Sequence, residues 1–142
     1  AVFRAEMFEI VIGERTNIQD FVMIHVGAGT PTIVGADCSI THHATLHGCT
    51  IGDSCLIGIG ATVMDGAVIG EGSIVAGHAM VTEGSVFPAH SIIAGSPARL
   101  VKTRDSTAAN RRNAMFYHMN ALNYAQGIER LTPEQVGRLI AP

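Results

Sequence analysis

The sequence of 142 residues lacks several features that would place it in common functional classes. It contains no run of 18 apolar residues, and this absence argues against a membrane-spanning helix. No Lys or Arg occurs between Thr16 and Ala98, and the formal net charge is −3, a balance that argues against nucleic acid as a partner. The three cysteines, Cys38, Cys49 and Cys55, form no CxxC pair, so we expect reduced, partly buried thiols rather than a cysteine-based metal site.

What the sequence does contain is a repeat with a period of six residues. An aliphatic residue followed by a small or turn-forming one recurs in phase at Ile51, Ile57, Val63, Ile69, Val75 and Val81, and then at Phe87 and Ile93. Earlier blocks carry Ile12, Ile18 and Ile24, and then Val34, Ile40 and Leu46. This period is neither helical nor a simple strand alternation, and it is typical of a parallel β-helix with three short strands per coil. We therefore predict an all-β solenoid of hexapeptide repeats with a C-terminal α-helix.

Two irregularities interrupt the repeat. A loop of about four extra residues lies around Gly27–Pro31, and one residue is missing in the hexad that follows Leu46. If the loop is an insertion within one hexad, Ile24 and Leu46 are three hexads apart, which is one full coil. Because His25 follows Ile24 and His47 follows Leu46, the two histidines should stack on one face in neighbouring coils, about 4.8 Å apart.

A third histidine, His42, follows Ile40 by two residues and therefore lies on the preceding face of the coil. It should not reach the other two within one subunit, but a neighbouring subunit packed face to face could supply it. Three imidazole ligands with an open fourth position are the arrangement of a catalytic zinc site. A single histidine of this kind is more typical of a surface or a turn, and it is the stacking of His25 and His47 that favours a metal site.

The repeat ends at Gly95-Ser96-Pro97, because proline does not continue strand pairing. We expect residues 1–98 to form the β-helix and residues 99–142 to form a linker and C-terminal helices that pack on it. The chain opens at Ala1 in what already reads as a strand, which leaves room for earlier coils and for a targeting segment before them. No signal peptide is visible, and this favours a cytoplasmic protein.

Two helices are predicted after the repeat. The first runs from about Ser106 to Gln126 and could pack through one apolar face. That face consists of Ala108, Met115, Met119 and Leu122. The second begins at Thr132-Pro133-Glu134-Gln135, where Thr132 is suited to the N-cap and Gln135 completes a capping box.

Three motifs are far more specific than the hexad repeat. They are Arg15-Thr16-Asn17-Ile18-Gln19-Asp20 followed by Ile24-His25, the stretch from His42 through His47-Gly48-Cys49-Thr50-Ile51-Gly52, and Gly95-Ser96-Pro97. Together they resemble the γ-class carbonic anhydrase family, over about residues 2–104. The resemblance implies a left-handed parallel β-helix and a homotrimer with metal sites at its three interfaces. It further implies that His25 and His47 of one subunit and His42 of the next bind the metal.

The same resemblance implies a chemistry. Zinc lowers the pKa of bound water to about 7, and in this family the resulting metal-bound hydroxide attacks carbon dioxide and releases bicarbonate. Imidazole ligands suit zinc, and they also suit ferrous iron or cobalt. We therefore expect Zn²⁺, with Fe²⁺ or Co²⁺ as alternatives, and carbon dioxide or bicarbonate as the small-molecule partner.

Other residues receive roles by resemblance. Gln19 is expected to hydrogen-bond near the metal-bound water, and Asp20 to pair with Arg4 across the interface. Asn17 is a weaker candidate that is also a common turn residue. The family's Arg-x-Asp is here Arg4-Ala5-Glu6, so a longer carboxylate alters the interface pairing. The loop at residues 27–32 has no carboxylate that could help to move a proton.

Three alternative functions remain open from the sequence. A hexapeptide-repeat acyltransferase would need basic groups for the phosphates of acyl-CoA, and the stretch without Lys or Arg speaks against it. A metal-dependent thioesterase could use the same metal hydroxide on an acyl carbonyl. A catalytically weak metal-binding scaffold is compatible with Glu6 and with the loop that lacks a carboxylate.

Overall fold

The structure, a computed structural model, describes residues 1–140, and side chains are described as far as Arg138. Over this range short strands wind around three faces, and two helices follow them. We refer to the three sheets as first, second and third, in the order in which the chain enters them.

The sheets have the following members. The first contains β1 (Val2–Arg4), β4 (Met23–His25), β7 (Thr45–His47), β10 (Thr62–Val63) and β13 (Met80–Val81). The second contains β2 (Ile10–Ile12), β5 (Thr32–Val34), β8 (Thr50–Ile51), β11 (Val68–Ile69) and β14 (Val86–Phe87). The third contains β3 (Asn17–Ile18), β6 (Ser39–Ile40), β9 (Leu56–Ile57), β12 (Ile74–Val75), β15 (Ser91–Gly95) and β16 (Ala98–Thr103).

Each strand pairs with the strands one coil before and one coil after it, in parallel. Ile24 lies beside Leu46, and Leu46 lies beside Val63, so the interior position of each hexad stacks on the next. Among the described strands, only β15 and β16 pair antiparallel. This arrangement is a parallel β-helix and confirms the predicted solenoid.

The aliphatic residue of each hexad forms the core. Ile24, Ile40, Leu46, Ile57 and Val63 all have 0% of their surface exposed. Burying one such side chain contributes about 1.5–3 kcal/mol. Stacking of the coils therefore turns the sequence repeat into one continuous apolar column.

The cysteines are also part of this core. All three are free and buried, as the absence of a CxxC pair predicted. Burial raises the pKa of Cys49 to about 12. A hydrogen bond with Cys38, together with burial, raises the pKa of Cys55. Cys49 and Cys55 therefore stay protonated at neutral pH and behave as small core residues.

The C-terminal segment departs from the prediction at its start. Ala98–Thr103, placed mostly in a linker by sequence, forms strand β16 on the edge of the third sheet. Helices α1 (Thr107–Ala125) and α2 (Pro133–Ile140) follow, close to the predicted bounds. At the start of α2 the predicted capping box is present, since the Gln135 side chain accepts from the Thr132 amide at 2.8 Å. In the described part of the chain, no helix combines the length and apolar character that crossing a bilayer needs.

The packing face predicted for α1 is wrong. The predicted face was Ala108, Met115, Met119 and Leu122. Met115 is 41% exposed and Leu122 is 45% exposed, whereas the helix buries Asn110 and Ala114. The reason is that α1 is held on the third sheet by hydrogen bonds to backbone carbonyls, for which apolar spacing is not a signal.

Candidate functional site

Two histidines meet where β4 and β7 end. His25 and His47 lie side by side in the strand register, as predicted from the position of the loop insertion. Nδ1 of His25 is 2.9 Å from Nε2 of His47. The side chains are 18% and 29% exposed, so the pair is partly shielded but open on one side.

A carboxylate contacts the outer ring nitrogen of each histidine. Nε2 of His25 is 2.9 Å from Oε2 of Glu6, and Nδ1 of His47 is 2.5 Å from Oδ1 of Asp65. Because an ionised carboxylate accepts hydrogen bonds, each imidazole donates its N–H outward and keeps a lone pair on the nitrogen that faces the other ring. Two facing lone pairs require a shared proton or a metal cation between them.

This arrangement fits a metal. Histidine ligands in proteins usually donate their second ring nitrogen to a carboxylate or carbonyl, which orients the ring and fixes the tautomer. Two nitrogen ligands at ~2.0–2.1 Å from one zinc ion are about 3.3 Å apart in a tetrahedral site. The separation of 2.9 Å between His25 and His47 is close to that value. Glu6 also has a lowered pKa, mainly because of its hydrogen bond with His25, so it is available as an anion.

Asp65 is not among the site residues that the sequence pattern predicts. Two glycines leave room for this residue beside the Thr30 side chain: a Cβ on Gly48 would lie 2.4 Å from Oδ1 of Asp65, and one on Gly27 would lie 2.6 Å away. Gly48 also has φ +56°, which favours glycine. The signal that could have found Asp65 is the missing residue after Leu46, which shortens this corner by one position.

Thr32 fixes the same corner from inside. It is fully buried, donates to the backbone carbonyl of His25 at 2.5 Å and accepts from the amide of Gly48 at 2.8 Å. This side chain therefore ties the strand that carries His25 to the turn after His47. The two imidazoles are therefore carried by the last residues of paired strands of the β-helix.

Three of the remaining predicted residues form a second group at the corner between the third and first sheets. Nδ1 of His42 lies 3.4 Å from Oδ2 of Asp20, and Gln19 is buried beside them with 9% exposure. The three line a cavity of about 510 Å³, which Tyr117 and Tyr124 of α1 also line. The His42 group is therefore a polar corner of the coil that lies beside the C-terminal helix α1.

The two groups do not meet within one chain. His25, His47 and Glu6 line a separate cavity of about 370 Å³. Among the described residues, no three His, Cys, Asp or Glu side chains come together as a metal site. This is the separation that the sequence predicted for His42.

The predicted partner of Arg4 is not its partner within the chain. Nε of Arg4 contacts Oε1 of Glu6 at 3.0 Å, so Glu6 bridges Arg4 and His25. The side chain of Asp20 is 80% exposed. An exposed carboxylate beside His42 remains available for a neighbouring subunit, and pairing of Arg4 with Asp20 across an interface stays a prediction.

Known proteins are similar to this chain in sequence and in fold. The family model described as bacterial transferase hexapeptide (six repeats) matches residues 48–83. A "probable carbonic anhydrase" of Methanocaldococcus jannaschii is 49% identical over 119 residues, which is 82% of this chain and 75% of that protein. The mitochondrial gamma carbonic anhydrase 1 of Arabidopsis thaliana is 42% identical over 66 residues, which is 42% of this chain and 24% of that protein.

Among solved structures, a hexapeptide transferase family protein from Anaplasma phagocytophilum superposes with a TM-score of 0.81 at 31% identity. The match covers 86% of this chain and 73% of that one. By this likeness in sequence and fold over most of its length, the chain belongs to the γ-class carbonic anhydrase family.

Proposed function

We propose that this chain is one subunit of a trimeric, metal-dependent carbonic anhydrase that converts carbon dioxide and water to bicarbonate and a proton. The observation that carries the proposal is the array Glu6–His25–His47–Asp65, in which two carboxylates orient two imidazoles toward one point. Such carboxylate–histidine pairs are typical of metal ligands. The names of the relatives point to the same reaction.

His42 completes the site in this proposal, from the next subunit. Its separate cavity within one chain supports the arrangement, because a third ligand must then come from another copy. Exposed apolar side chains flank both groups. Phe21, which stacks on His43, is 73% exposed, and Ile59, which precedes the amide bonded to the His42 carbonyl, is 51% exposed. Met7, which lines the cavity with His25, is 84% exposed. Apolar surface of this kind is typical of protein interfaces.

Each residue then has a defined task. His25, His47 and the neighbour's copy of His42 hold the metal, while Glu6 and Asp65 keep two of these rings in the ligating tautomer. The metal, when bound, would act as a Lewis acid that lowers the pKa of a coordinated water to about 7. Gln19 presents a polar side chain to the reactants from the wall of the larger cavity. Asp20 stays beside His42 and is free to pair with Arg4 of the neighbour.

Zinc fits these ligands, and ferrous iron or cobalt are the alternatives, because imidazole binds all three. The direct test is stopped-flow carbon dioxide hydration on protein of measured metal content, loaded with zinc or, without oxygen, with ferrous iron. We expect turnover that falls to background in His47→Ala. Full metal occupancy without turnover would contradict the proposal and favour a thioesterase or a binding scaffold. An assay of acyl-CoA hydrolysis would distinguish these two, because only the thioesterase would be active.

The shared site has its own test. His42→Ala should lower metal affinity by more than ~100-fold, beyond the loss that follows removal of an outer-shell partner. His78→Ala is the matched control, because His78 is an exposed histidine at the same kind of corner in a later coil. A His42→Ala protein that keeps full metal occupancy would show that the ligand does not come from a neighbouring subunit.

A further inference from the structure

Helix α1 is anchored on the third sheet by polar contacts. The side-chain amide of Asn110 donates to the backbone carbonyls of Ser54 at 2.8 Å and Ser73 at 3.1 Å. Asn110 is 3% exposed, and Ala114, one turn further on, is 0% exposed. These contacts fix both the height and the rotation of the helix against the coils, because a buried amide tolerates little displacement from its acceptors.

A second anchor joins α1 to the corners before β3 and β6, where Arg15 and Asp37 lie. Asp37 has a side chain that is only 8% exposed, and it accepts from Arg15 at 2.6 and 3.0 Å and from Arg111 of α1 at 3.3 Å. The hydrogen bonds with Arg15, and secondarily with Arg111, hold the pKa of Asp37 below its usual value. The helix is therefore tied to the strand corner from which the segment with Gln19 begins.

Between these anchors runs a chain of side-chain hydrogen bonds. The amide of Gln19 donates to the carbonyl oxygen of Asn17 at 3.0 Å, and the amide of Asn17 donates to the hydroxyl of Ser39 at 2.9 Å. The hydroxyl of Ser39 donates to the carbonyl oxygen of Asn113 on α1 at 2.7 Å. All three bonds point in the same direction, from the cavity wall to the helix.

The direction of these bonds determines what Gln19 offers to the cavity. Because Ser39 has one hydroxyl proton and gives it to Asn113, it must accept from Asn17. Asn17 therefore turns its side-chain carbonyl toward Gln19. Its amide nitrogen also donates to the backbone carbonyl of Cys38 at 3.1 Å, which favours the same orientation. One N–H of the Gln19 amide is thus committed to Asn17, which fixes the rotation of this side chain and leaves its carbonyl oxygen as a hydrogen-bond acceptor for a reactant.

We propose that Asn113 of α1 is a positioning residue, which acts through Ser39 and Asn17 to hold Gln19 with its carbonyl oxygen toward the cavity. The inference rests on the proposed function, because it assigns Gln19 the task of accepting a hydrogen bond from a hydroxyl-bearing reactant such as water. Without the Asn113 acceptor, the Ser39 hydroxyl is free to turn toward Asn17. The orientation of Gln19 is then supported only by the bond between Asn17 and the Cys38 backbone.

The test compares three variants at equal metal content. Asn113→Ala should lower kcat for carbon dioxide hydration by about three- to tenfold, the effect of one hydrogen bond, with metal affinity unchanged. Asn113→Asp keeps an acceptor oxygen for Ser39 and should restore most of the activity. Asn123→Ala removes an asparagine from the same helix, where it lies beside Leu131 and Gln135 rather than the cavity, and should leave kcat unchanged.

A second readout does not depend on turnover. The side-chain amide resonance of Gln19, identified by its loss in Gln19→Glu, should shift in Asn113→Ala and Ser39→Ala and stay in place in Asn123→Ala. The double variant of Ser39 and Asn113 should resemble Ser39→Ala alone, because both lie in one chain. If the wild-type protein shows no carbon dioxide hydration, the proposed function fails. The shift of the Gln19 resonance still tests whether the hydrogen bonds from Asn113 through Ser39 and Asn17 orient Gln19.

Two results would overturn the inference. One is an Asn113→Ala protein whose Gln19 resonance is that of the wild type, whatever its kcat. The other is a shifted resonance with unchanged kcat in an active enzyme, which would show that the chain exists but does not position Gln19 for catalysis.

Discussion

Removing the carboxylate behind His47 should weaken metal binding while leaving the fold intact. Asp65 contacts His47 at 2.5 Å, and its side chain is 32% exposed, so the bond is partly shielded from water. Loss of such an outer-shell partner costs about 10- to 100-fold in metal affinity, or about 1.4–2.7 kcal/mol. We expect Asp65→Asn, which keeps an acceptor oxygen, near the lower value and Asp65→Ala near the upper one.

The assay is a competition titration of zinc against a chromophoric chelator, with the absorption spectrum of the cobalt-loaded protein as a report on ligand geometry. Glu83→Gln is the matched control, because Glu83 is an exposed carboxylate one coil further along the chain. Thermal unfolding of the metal-free proteins checks that the coils are unchanged. Wild-type zinc affinity in a folded Asp65→Ala protein would refute the role of the carboxylate in orienting His47.

The other predictions concern the supports of the site. Asp37→Asn should remove about 2 kcal/mol of stability by weakening the bonds with Arg15 and Arg111, and should lower the Tm by about 5–10 °C. Because the pKa of Asp37 is lowered in the fold, its contribution is present above the ordinary carboxyl pKa of about 3.9 and is lost as the pH falls through its lowered value. The Tm difference between wild type and variant should shrink on acidification, and a constant difference would contradict this. Gly48→Ala should disturb metal binding, since φ is +56° and a Cβ would meet Asp65; unchanged zinc affinity would be the opposing result. Cys49 should resist a thiol reagent at pH 7 until the protein unfolds, because its pKa is about 12, and rapid labelling of the native protein would refute this.

The coils and the stacking of His25 on His47 were predictable because they depend on local periodicity. An aliphatic residue in every sixth position determines which side chains face inward, and the register of Ile24 with Leu46 then carries His25 to His47. The start of α2 was predictable for the same reason, because a capping box is formed by four consecutive residues. The docked face of α1 was not predictable from apolar spacing, because Asn110 docks by hydrogen bonds.

The sequence by itself determined the solenoid, the separation of His42 from the other two histidines and the placement of a helical arm after the coils. Only the tertiary structure decided which carboxylates stand behind the histidines and which side chains hold Gln19. Asp65 lies 18 positions from His47, and Asn113 lies 74 positions from Ser39. Such contacts depend on the shape of one shortened corner and on the rotation of a docked helix. The period of the repeat predicts neither of these, because it reports only which side chains face the interior of the coils.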